Sequence, residues 1–282
     1  MKSENMKREK LLNRIISCLA VVALAACATA DRTAPAHVSE RPDLSHYFSD
    51  AGTDGTIVIF DPRTKSAVVV NAARADRGYL PASTFKIPNS LIGLEIGAVS
   101  DVETELFPWN GTTFLIDGQD ILPKGCNADI PLRTAFRLSC VQVYQQLARR
   151  IGSERFDHWL AAFDYGNHDI GGAPVDLFWL EGNLRISAWQ QVAFLTRLAA
   201  GDLPVSARAL SQVRTIMTME KSATTTLYAK TGYASALGWW VGWVEKDGET
   251  RIFALNLDMP RFELGTARME IGKAVLRDLG AL

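Results

Sequence analysis

The sequence lacks the features that several classes of protein require. Its 282 residues carry 30 basic and 31 acidic side chains, a formal net charge of −1, so no strongly basic face is available for a nucleic-acid partner. It also has no repeat at solenoid periods and no low-complexity tract. The histidines are few and scattered, without the spacing of a zinc site, so we assign no residue to a metal. They are His37, His46, His158 and His168.

Long apolar runs are also missing, and the one near the N-terminus is too short to span a membrane. Residues 15–26 are small and apolar apart from Ser17, whereas a membrane-spanning helix needs about 20 such residues. A stretch rich in Lys and Arg precedes them, which is typical of an export signal. Two processing sites fit: a lipobox in which Cys27 would carry lipid, or a small-residue site ending at Ala30. We therefore predict a signal over 1–30, with membrane contact only through a lipid on Cys27.

Cysteine is scarce as well. Cys18 and Cys27 fall in the predicted signal, which leaves Cys126 and Cys140 in the mature chain. An oxidising compartment permits a disulfide between these two residues. Two buried free thiols, which pack as small hydrophobic groups, fit the sequence equally well. The sequence alone leaves both alternatives open.

Strand patterns occupy the two ends of the chain, and helical patterns occupy its middle. Residues 56–60 and 66–70 are β-rich, as are three segments between Thr224 and Asp258, and an amphipathic helix begins at Ala267. Asp247-Gly248 predicts a turn between the last two of these segments. Helical spacing recurs over much of 132–200. Strands from both ends can share one antiparallel sheet only if the helical middle is an insertion. The predicted fold is therefore α+β, an antiparallel sheet flanked by helices, with a ligand cleft between the sheet and the inserted helices.

The boundaries of this predicted arrangement follow from the same patterns. The folded domain is expected over 31–282. It divides into a sheet subdomain, about 43–82 and 205–282, and a helical insertion of about 83–204. Residues 30–41, which are rich in Ala, Pro and polar residues, are predicted to be a linker. The first part of the insertion, before the helical spacing begins, is predicted to be mostly irregular.

An S-x-x-K motif, Ser83 to Lys86, stands at a predicted helix start. A serine hydroxyl becomes a nucleophile beside a base, and a lysine three residues later lies one helical turn away. The positive end of the helix and burial both disfavour the ammonium form of Lys86. Pro88 fits this helix only if it falls near the first turn. Because the motif is short, a helix cap at Ser83 with a solvated lysine is the alternative interpretation.

A K-T-G motif ends a predicted strand in the C-terminal third of the chain. It comprises Lys230, Thr231 and Gly232. A cation and a hydroxyl at this position suit a substrate carboxylate, and the glycine would let the backbone approach a ligand closely. A strand end followed by a glycine turn is the alternative interpretation.

The two motifs in this order, with helical residues between them, resemble those of the serine β-lactamases and penicillin-binding proteins. Four further segments narrow the resemblance to the class D β-lactamases. They are Ser139-Cys140-Val141, Tyr165-Gly166-Asn167, Phe178-Trp179-Leu180-Glu181-Gly182 and Trp239-Trp240-Val241-Gly242-Trp243. The resemblance runs from about Asp43 to the C-terminus, and it implies a transpeptidase-like fold and a periplasmic enzyme that hydrolyses small-molecule β-lactams.

The resemblance also implies roles for individual residues. Ser83 would attack the β-lactam carbonyl. Lys86, carboxylated by carbon dioxide to N6-carboxylysine, would serve as the general base, and no other cofactor is implied. Trp179 would donate a hydrogen bond to the carbamate, and Val141 would keep Lys86 desolvated. Ser139 would relay a proton towards the leaving nitrogen.

The remaining implied roles concern substrate binding. The backbone N–H groups of Ser83 and Tyr233 would form the oxyanion hole. The substrate carboxylate would be bound beside Gly232, and three side chains are implied to bind it: Lys230, Thr231 and Arg268. Arg261 competes with Arg268 for this role, because both lie near the start of the last predicted helix.

Two rival functions share part of this pattern. A penicillin-binding D,D-peptidase usually carries S-x-N where this chain has Val141, and it lacks the Trp179 segment. A β-lactam sensor domain, which is acylated without turnover, is tethered by several membrane spans. The short connection between K-T-G and Trp239 borders the expected cleft, so the substrate spectrum stays open. The oligomeric state is open as well.

Overall fold

The computed structural model describes residues 33–115, 118, 120, 123–260 and 262–282. The predicted export signal, with its alternative processing sites at Cys27 and Ala30, lies outside these residues. Within them, no helix has both the length and the apolar character needed to cross a membrane.

Two sheets are present among the described residues. Their strands are β1 (His37–Glu40), β2 (Gly55–Asp61), β3 (Ser66–Val70), β4 (Leu106–Phe107), β5 (Ile130–Pro131), β6 (Thr218–Lys221), β7 (Thr225–Ala234), β8 (Leu237–Lys246) and β9 (Glu249–Asp258). The short strands β4 and β5 pair with each other, and the others form a seven-stranded sheet in the order β1-β3-β2-β9-β8-β7-β6. Neighbouring strands are antiparallel except β1, which runs parallel to β3.

Most of the helices lie between β3 and β6 in the chain. They are α1 (His46–Asp50), α2 (Ala72–Ala75), α3 (Lys86–Glu95), α4 (Leu132–Leu138), α5 (Val141–Ile151), α6 (Ser153–Phe163), α7 (Ala188–Ala200), α8 (Ala207–Met217) and α9 (Ala267–Asp278). Within the part of the chain that the structure describes, short 3-10 turns accompany them at Pro42–Ser45, Ala82–Phe85, Lys124–Cys126 and Phe262–Gly265. The predicted α+β fold, with helices inserted into the strand order of one sheet, is confirmed.

Both faces of the large sheet are buried. On β8, Trp239 and Trp243 belong to one hydrophobic core and Trp240 to another, because successive side chains of a strand point to opposite faces. Helix α7 packs on β2, β8 and β9, and α9 packs on β8 and β9. Ser187 caps α7 in a reciprocal capping box with Gln190, which fixes where this helix begins. The tryptophan-rich strand therefore anchors helices to both faces of the sheet.

Several predicted elements need correction. The predicted linker is wrong at His37–Glu40, because these residues form β1 on the edge of the sheet. All four side chains are exposed, so only backbone pairing with β3 defines the strand, and the side-chain pattern carries no sign of it. Helix α3 begins at Lys86 and places Pro88 in its first turn, which confirms the helix predicted at the S-x-x-K motif and corrects the irregular stretch predicted after it. Helix α8 and strand β6 were not predicted.

Two tight turns join the strands of the C-terminal hairpins. The predicted turn at Asp247-Gly248 is present between β8 and β9, with φ values of 50° and 81°. Ser235 and Ala236 join β7 to β8 in the same left-handed region, with φ values of 50° and 58°. Strand pairing thus continues to the end of β7, next to the K-T-G motif.

Candidate active site

Ser83 lies in the 3-10 turn Ala82–Phe85, directly before α3, and its residue is 8% exposed. The preceding Ala82 has a φ of 50°, a backbone conformation that is uncommon for residues other than glycine. The N–H of Ala82 donates to the carbonyl oxygen of Trp179 at 3.0 Å, which holds this turn. Neither the turn nor α3 has a side-chain cap, so the interpretation of Ser83 as a helix cap is wrong.

Lys86 is buried, with 1% of the residue exposed, so the interpretation of a solvated lysine is also wrong. Its Nζ lies 2.9 Å from the Oγ of Ser83. Desolvation by burial lowers the pKa of Lys86 to about 7. A large share of this amine is therefore neutral at physiological pH, and a neutral amine beside a serine hydroxyl can accept its proton.

Aromatic side chains are concentrated around the Ser83 turn. The Nζ of Lys86 lies 5.1 Å from the ring centroid of Tyr144, whose hydroxyl is 2.9 Å from the Oγ of Ser90. Trp179 is fully buried and stacks on Phe85, with ring centroids 5.4 Å apart. Its indole N–H is buried without a hydrogen-bond partner among the described residues. Because a buried unsatisfied donor costs about 1–3 kcal/mol, this N–H marks a place that suits an acceptor.

Ser139 separates α4 from α5 and adopts a left-handed conformation, with φ 62° and ψ 32°. The helical spacing predicted across this region is therefore interrupted here. The Oγ of Ser139 accepts a hydrogen bond from the Nζ of Lys230 at 3.0 Å. Val141 begins α5 and is 1% exposed. Between them, Cys140 forms a disulfide with Cys126, so the alternative of two free thiols is wrong.

The K-T-G motif lies on β7, against the Ser83 turn. A Cβ built on Gly232 would lie 3.2 Å from the carbonyl oxygen of Pro81 and 3.3 Å from the backbone nitrogen of Ser83. The glycine thus permits close packing of strand on turn, in addition to the ligand approach for which it was singled out. Lys230 is 5% exposed and donates to the Thr231 carbonyl at 2.9 Å. Burial, and then the nearby charges of Lys86 and Arg268, hold the pKa of Lys230 well below its usual range.

Arg268 lies near the start of α9, as predicted, and is 9% exposed. Its Nη1 donates to the carbonyl oxygen of Gly232 at 2.7 Å. Burial lowers the pKa of Arg268 to about 10, so the side chain stays cationic at neutral pH. Arg261, the competing residue, lies outside the described residues. Arg268 therefore supports the K-T-G strand through its backbone and adds positive charge behind it.

A cleft opens in front of Ser83, with an empty volume of about 530 Å³. The predicted residues Ser83, Val141 and Tyr233 line it together with residues that the sequence did not single out as site residues. These are Phe114, Leu115, Leu180, Glu181, Ala234 and Ser235. Leu180 and Glu181 could have been found from their place beside Trp179. Phe114 and Leu115 lie in an irregular segment with no periodicity, so no sequence signal marked them.

The Y-G-N motif holds the segment that carries Trp179. Gly166 has a φ of 66°, and a Cβ on it would lie 2.2 Å from the carbonyl oxygen of Arg185, so only glycine fits. The Asn167 amide donates to the Asn183 carbonyl at 3.0 Å and accepts from the N–H of Arg185 at 2.9 Å. The motif thus joins the start of the loop that contains the buried Trp179 to the end of that loop.

The charges around Ser83 favour anions. Lys86, Lys230 and Arg268 are all buried, and within the described part of the chain none of the three has an ion-pair partner. In the same residues, no group of three or more His, Cys, Asp or Glu side chains could hold a metal ion. The arrangement combines a nucleophile in Ser83, a base in Lys86 and a buried cation in Arg268, which suits acyl transfer to a substrate that carries a carboxylate.

Known proteins are similar to this chain in sequence. Residues 55–278 match the family model of the penicillin binding protein transpeptidase domain. The chain is 42% identical to β-lactamase OXA-48 of Klebsiella pneumoniae over 242 residues, covering 84% of this chain and 88% of that protein. It is 36% identical to β-lactamase OXA-10 of Pseudomonas aeruginosa over 275 residues, covering 95% of this chain and 96% of that protein.

Solved structures give the same result. The class D β-lactamase YbXI from Nostoc matches with a TM-score of 0.79 and 39% identity, covering 85% of this chain and 99% of that one. FUS-1 (OXA-85), from Fusobacterium nucleatum subsp. polymorphum, matches with a TM-score of 0.79 and 35% identity, covering 86% and 100%. The chain therefore belongs to the class D β-lactamases, serine hydrolases that open β-lactam antibiotics and thereby confer resistance to them.

Proposed function

We propose that this chain hydrolyses β-lactams through an acyl-enzyme on Ser83, with the carboxylated side chain of Lys86 as the general base. The contact between Ser83 and Lys86 carries the proposal: the Oγ and Nζ are 2.9 Å apart in a buried pocket. At this distance the side chain of Lys86 is placed to take the serine proton during attack. The penicillin-binding D,D-peptidase and the sensor domain would share this contact, so turnover distinguishes them from the proposed function.

Three features of the pocket suit a carbamate on Lys86. Burial lowers the pKa of Lys86 to about 7, and only a neutral amine combines with carbon dioxide. The unpartnered indole N–H of Trp179 supplies a buried donor for an anion. Arg268, whose pKa of about 10 keeps it cationic at neutral pH, supplies positive charge without an ion-pair partner among the described residues. When present, the carbamate supplies a carboxylate-like base in an apolar pocket, and Val141 excludes water from its surroundings.

The other residues of the site fit acylation and substrate binding. Ser139, whose Oγ accepts from Lys230 Nζ at 3.0 Å, would pass a proton to the leaving nitrogen. The backbone N–H groups of Ser83 and Tyr233 would stabilise the oxyanion, an effect worth about 10²–10³ in rate per donor. Lys230 and Thr231 would bind the carboxylate of the β-lactam in front of Gly232. We assign Arg268 to the same electrostatic field, acting through the Gly232 carbonyl and its own charge.

Export completes the proposed function. Residues 1–30 would direct the chain to the periplasm, where β-lactams meet their targets, and processing would occur at Cys27 or after Ala30. A lipid on Cys27 would tether the enzyme to the membrane, whereas cleavage after Ala30 would release it. We further propose the division into a sheet subdomain, about 43–82 and 205–282, and a helical insertion, about 83–204, on either side of the cleft.

Carbon-13 NMR with labelled bicarbonate tests the central proposal. We expect one carbamate resonance in the wild-type enzyme, absent from Lys86→Ala and retained in Lys246→Ala, which removes a lysine at the far end of β8, outside the cleft. Hydrolysis of a chromogenic cephalosporin is followed in parallel. Full turnover at neutral pH without a carbamate resonance would contradict the proposed base, and a single burst of acylation without turnover would favour the sensor function.

A further inference from the structure

The Cys126–Cys140 disulfide borders the active site, and no step proposed above uses it. Cys140 lies directly between Ser139 and Val141, the two residues that face Lys230 and the cleft. Both half-cystines are buried, Cys126 at 1% and Cys140 at 0% exposure. The bond therefore attaches the S-x-V motif covalently to the 3-10 turn Lys124–Cys126.

The backbone at Ser139 adopts an uncommon conformation that its surroundings must hold. Ser139 has a φ of 62°, a left-handed conformation that L-residues other than glycine adopt at a cost. Backbone bonds end α4 here, from the N–H of Cys140 to the Ala135 carbonyl at 2.9 Å and from the N–H of Ser139 to the Phe136 carbonyl at 3.2 Å. These contacts bind the segment to α4 alone. Among the described residues, the disulfide is the one covalent cross-link that ties it to a segment outside α4 and α5.

The far end of the disulfide reaches the rim of the cleft. The amide of Gln142 donates to the Cys126 carbonyl at 2.8 Å, parallel to the disulfide. The adjacent Asn127 donates from its amide to the Oγ1 of Thr113 at 3.0 Å. Thr113 immediately precedes Phe114 and Leu115, which line the cleft in front of Ser83. A continuous path thus runs from the cleft rim through the disulfide to the S-x-V motif.

We propose that the Cys126–Cys140 disulfide is a positioning element for β-lactam hydrolysis, which holds Ser139 Oγ against Lys230 Nζ and Val141 against the Lys86 pocket. The inference rests on the roles proposed for Ser139 and Val141. Reduction by a dithiol would transfer two electrons and two protons to the bond, which gives two cysteine thiols and an oxidised dithiol. The polar contacts of Gln142 and Asn127 would remain, so the reduced chain keeps its fold but loses the fixed geometry of the motif.

The test compares one sequence in two redox states. The enzyme is prepared in oxidised form and, by reduction during refolding, in reduced form, with free thiols counted after unfolding. Because a misplacement of about 1 Å costs about 100-fold in rate, we expect kcat/KM of the reduced form to fall about 10- to 100-fold at 25 °C. We also expect the reduced form to need more bicarbonate for half-maximal activity. Reoxidation should restore both values.

Two variants separate positioning from stability. Cys126→Ala/Cys140→Ala should reproduce the reduced form and should not respond to dithiol. Val69→Ala, in the core on β3 and away from the cleft, should lower the melting temperature but leave kcat/KM and the bicarbonate requirement as in the wild type. A purely structural bond would move the melting temperature in the same way without changing the bicarbonate requirement.

The outcomes are distinct. A folded reduced chain with kcat/KM within twofold of the oxidised enzyme would overturn the inference. So would failure of both the reduced chain and the double variant to fold, because the bond would then be a requirement of the fold. If the oxidised enzyme is not acylated on Ser83, the proposed function fails instead, regardless of how kcat/KM depends on the redox state.

Discussion

The two sides of the cleft are held in place by different means. On the sheet side, Lys230 to Tyr233 belong to β7, whose backbone pairs with β8 from Thr225 to Ala234. On the helical side, Ser83 and Ser139 lie at breaks between elements, where Ala82 and Ser139 adopt left-handed conformations. A regular ladder of hydrogen bonds positions the first group, whereas individual contacts position the second.

This difference predicts where the enzyme is sensitive. A ladder shares the position of each residue among many bonds, so the loss of one side chain on β8 changes stability more than geometry. The helical side depends on single contacts such as the bond from Ala82 to Trp179 and the stacking of Trp179 on Phe85. Substitutions there should change rates at little cost to the fold. The following experiments test this comparison, from the largest expected effect to the smallest.

Ser83→Ala tests the helical side at its centre. We expect hydrolysis to fall by about 10⁴-fold or more, because no acyl-enzyme can form without the hydroxyl. The fold should persist, since the hydroxyl caps no helix and its contact is with Lys86. Circular dichroism measures the fold, and mass spectrometry after incubation with penicillin measures acylation of the enzyme. A folded variant that still becomes covalently acylated would place the nucleophile elsewhere.

Trp179→Phe removes the indole N–H while keeping an aromatic ring to stack on Phe85. We expect deacylation to slow by about 100-fold, the typical effect of removing one preorganised donor, and the acyl-enzyme to accumulate. Added bicarbonate should restore part of the rate. Single-turnover kinetics separate acylation from deacylation. Unchanged deacylation would mean that this N–H supports nothing in the reaction.

The pH profile should follow Lys86. Its pKa is lowered to about 7, so the amine is mostly protonated below that pH and mostly neutral above it. We expect kcat/KM to fall about tenfold per pH unit below pH 7 at limiting bicarbonate, because the ammonium can neither accept a proton nor bind carbon dioxide. Added bicarbonate should move this acid limb to lower pH. A flat profile from pH 5 to 8 would contradict the assignment.

A matched pair of substitutions compares the two sides directly. Val141 and Val241 are both buried, at 1% and 0% exposure. Val241 lies on β8, opposite Lys230 of β7. We expect Val141→Ala to lower kcat/KM about tenfold, because it admits water to the Lys86 pocket. Val241→Ala should lower the free energy of unfolding by about 1–3 kcal/mol and leave kcat/KM within about twofold. Steady-state kinetics measure kcat/KM, and urea unfolding measures the free energy of unfolding. Equal losses of kcat/KM in the two variants would contradict the proposed difference between the two sides of the cleft.

The sheet side was also the easier one to predict from sequence. The β-rich segment that begins at Trp239 and the turn at Asp247-Gly248 are local signals, and the structure confirms both. Strand β1 was not predicted, because its four residues are exposed and only their backbone pairing with β3 makes them a strand. Edge pairing of this kind leaves no trace in the side-chain pattern.

The helical side was predictable in its motifs but not in its geometry. The S-x-x-K spacing placed Lys86 near Ser83, because residues three apart on a helix or turn are neighbours. The break at Ser139 was missed, since serine has no strong preference for the left-handed conformation found there. The sequence could not distinguish a disulfide from two free thiols, because pairing depends on the distance between Cys126 and Cys140 in the fold. The contact between Arg268 and Gly232 likewise depends on how α9 packs on the sheet.

The bond from the Ala82 N–H to the Trp179 carbonyl links the turn before the nucleophile to a buried tryptophan whose indole N–H has no partner among the described residues. Any substitution that moves the Trp179 segment therefore also moves the Ser83 turn. We expect variants at the two places to be non-additive, with coupling energies of about 0.5–3 kcal/mol, as for other residues in contact. Adaptation to a bulkier antibiotic through this segment would then require a compensating change near Ala82, so the order in which the two substitutions arise decides which resistant variants are reachable.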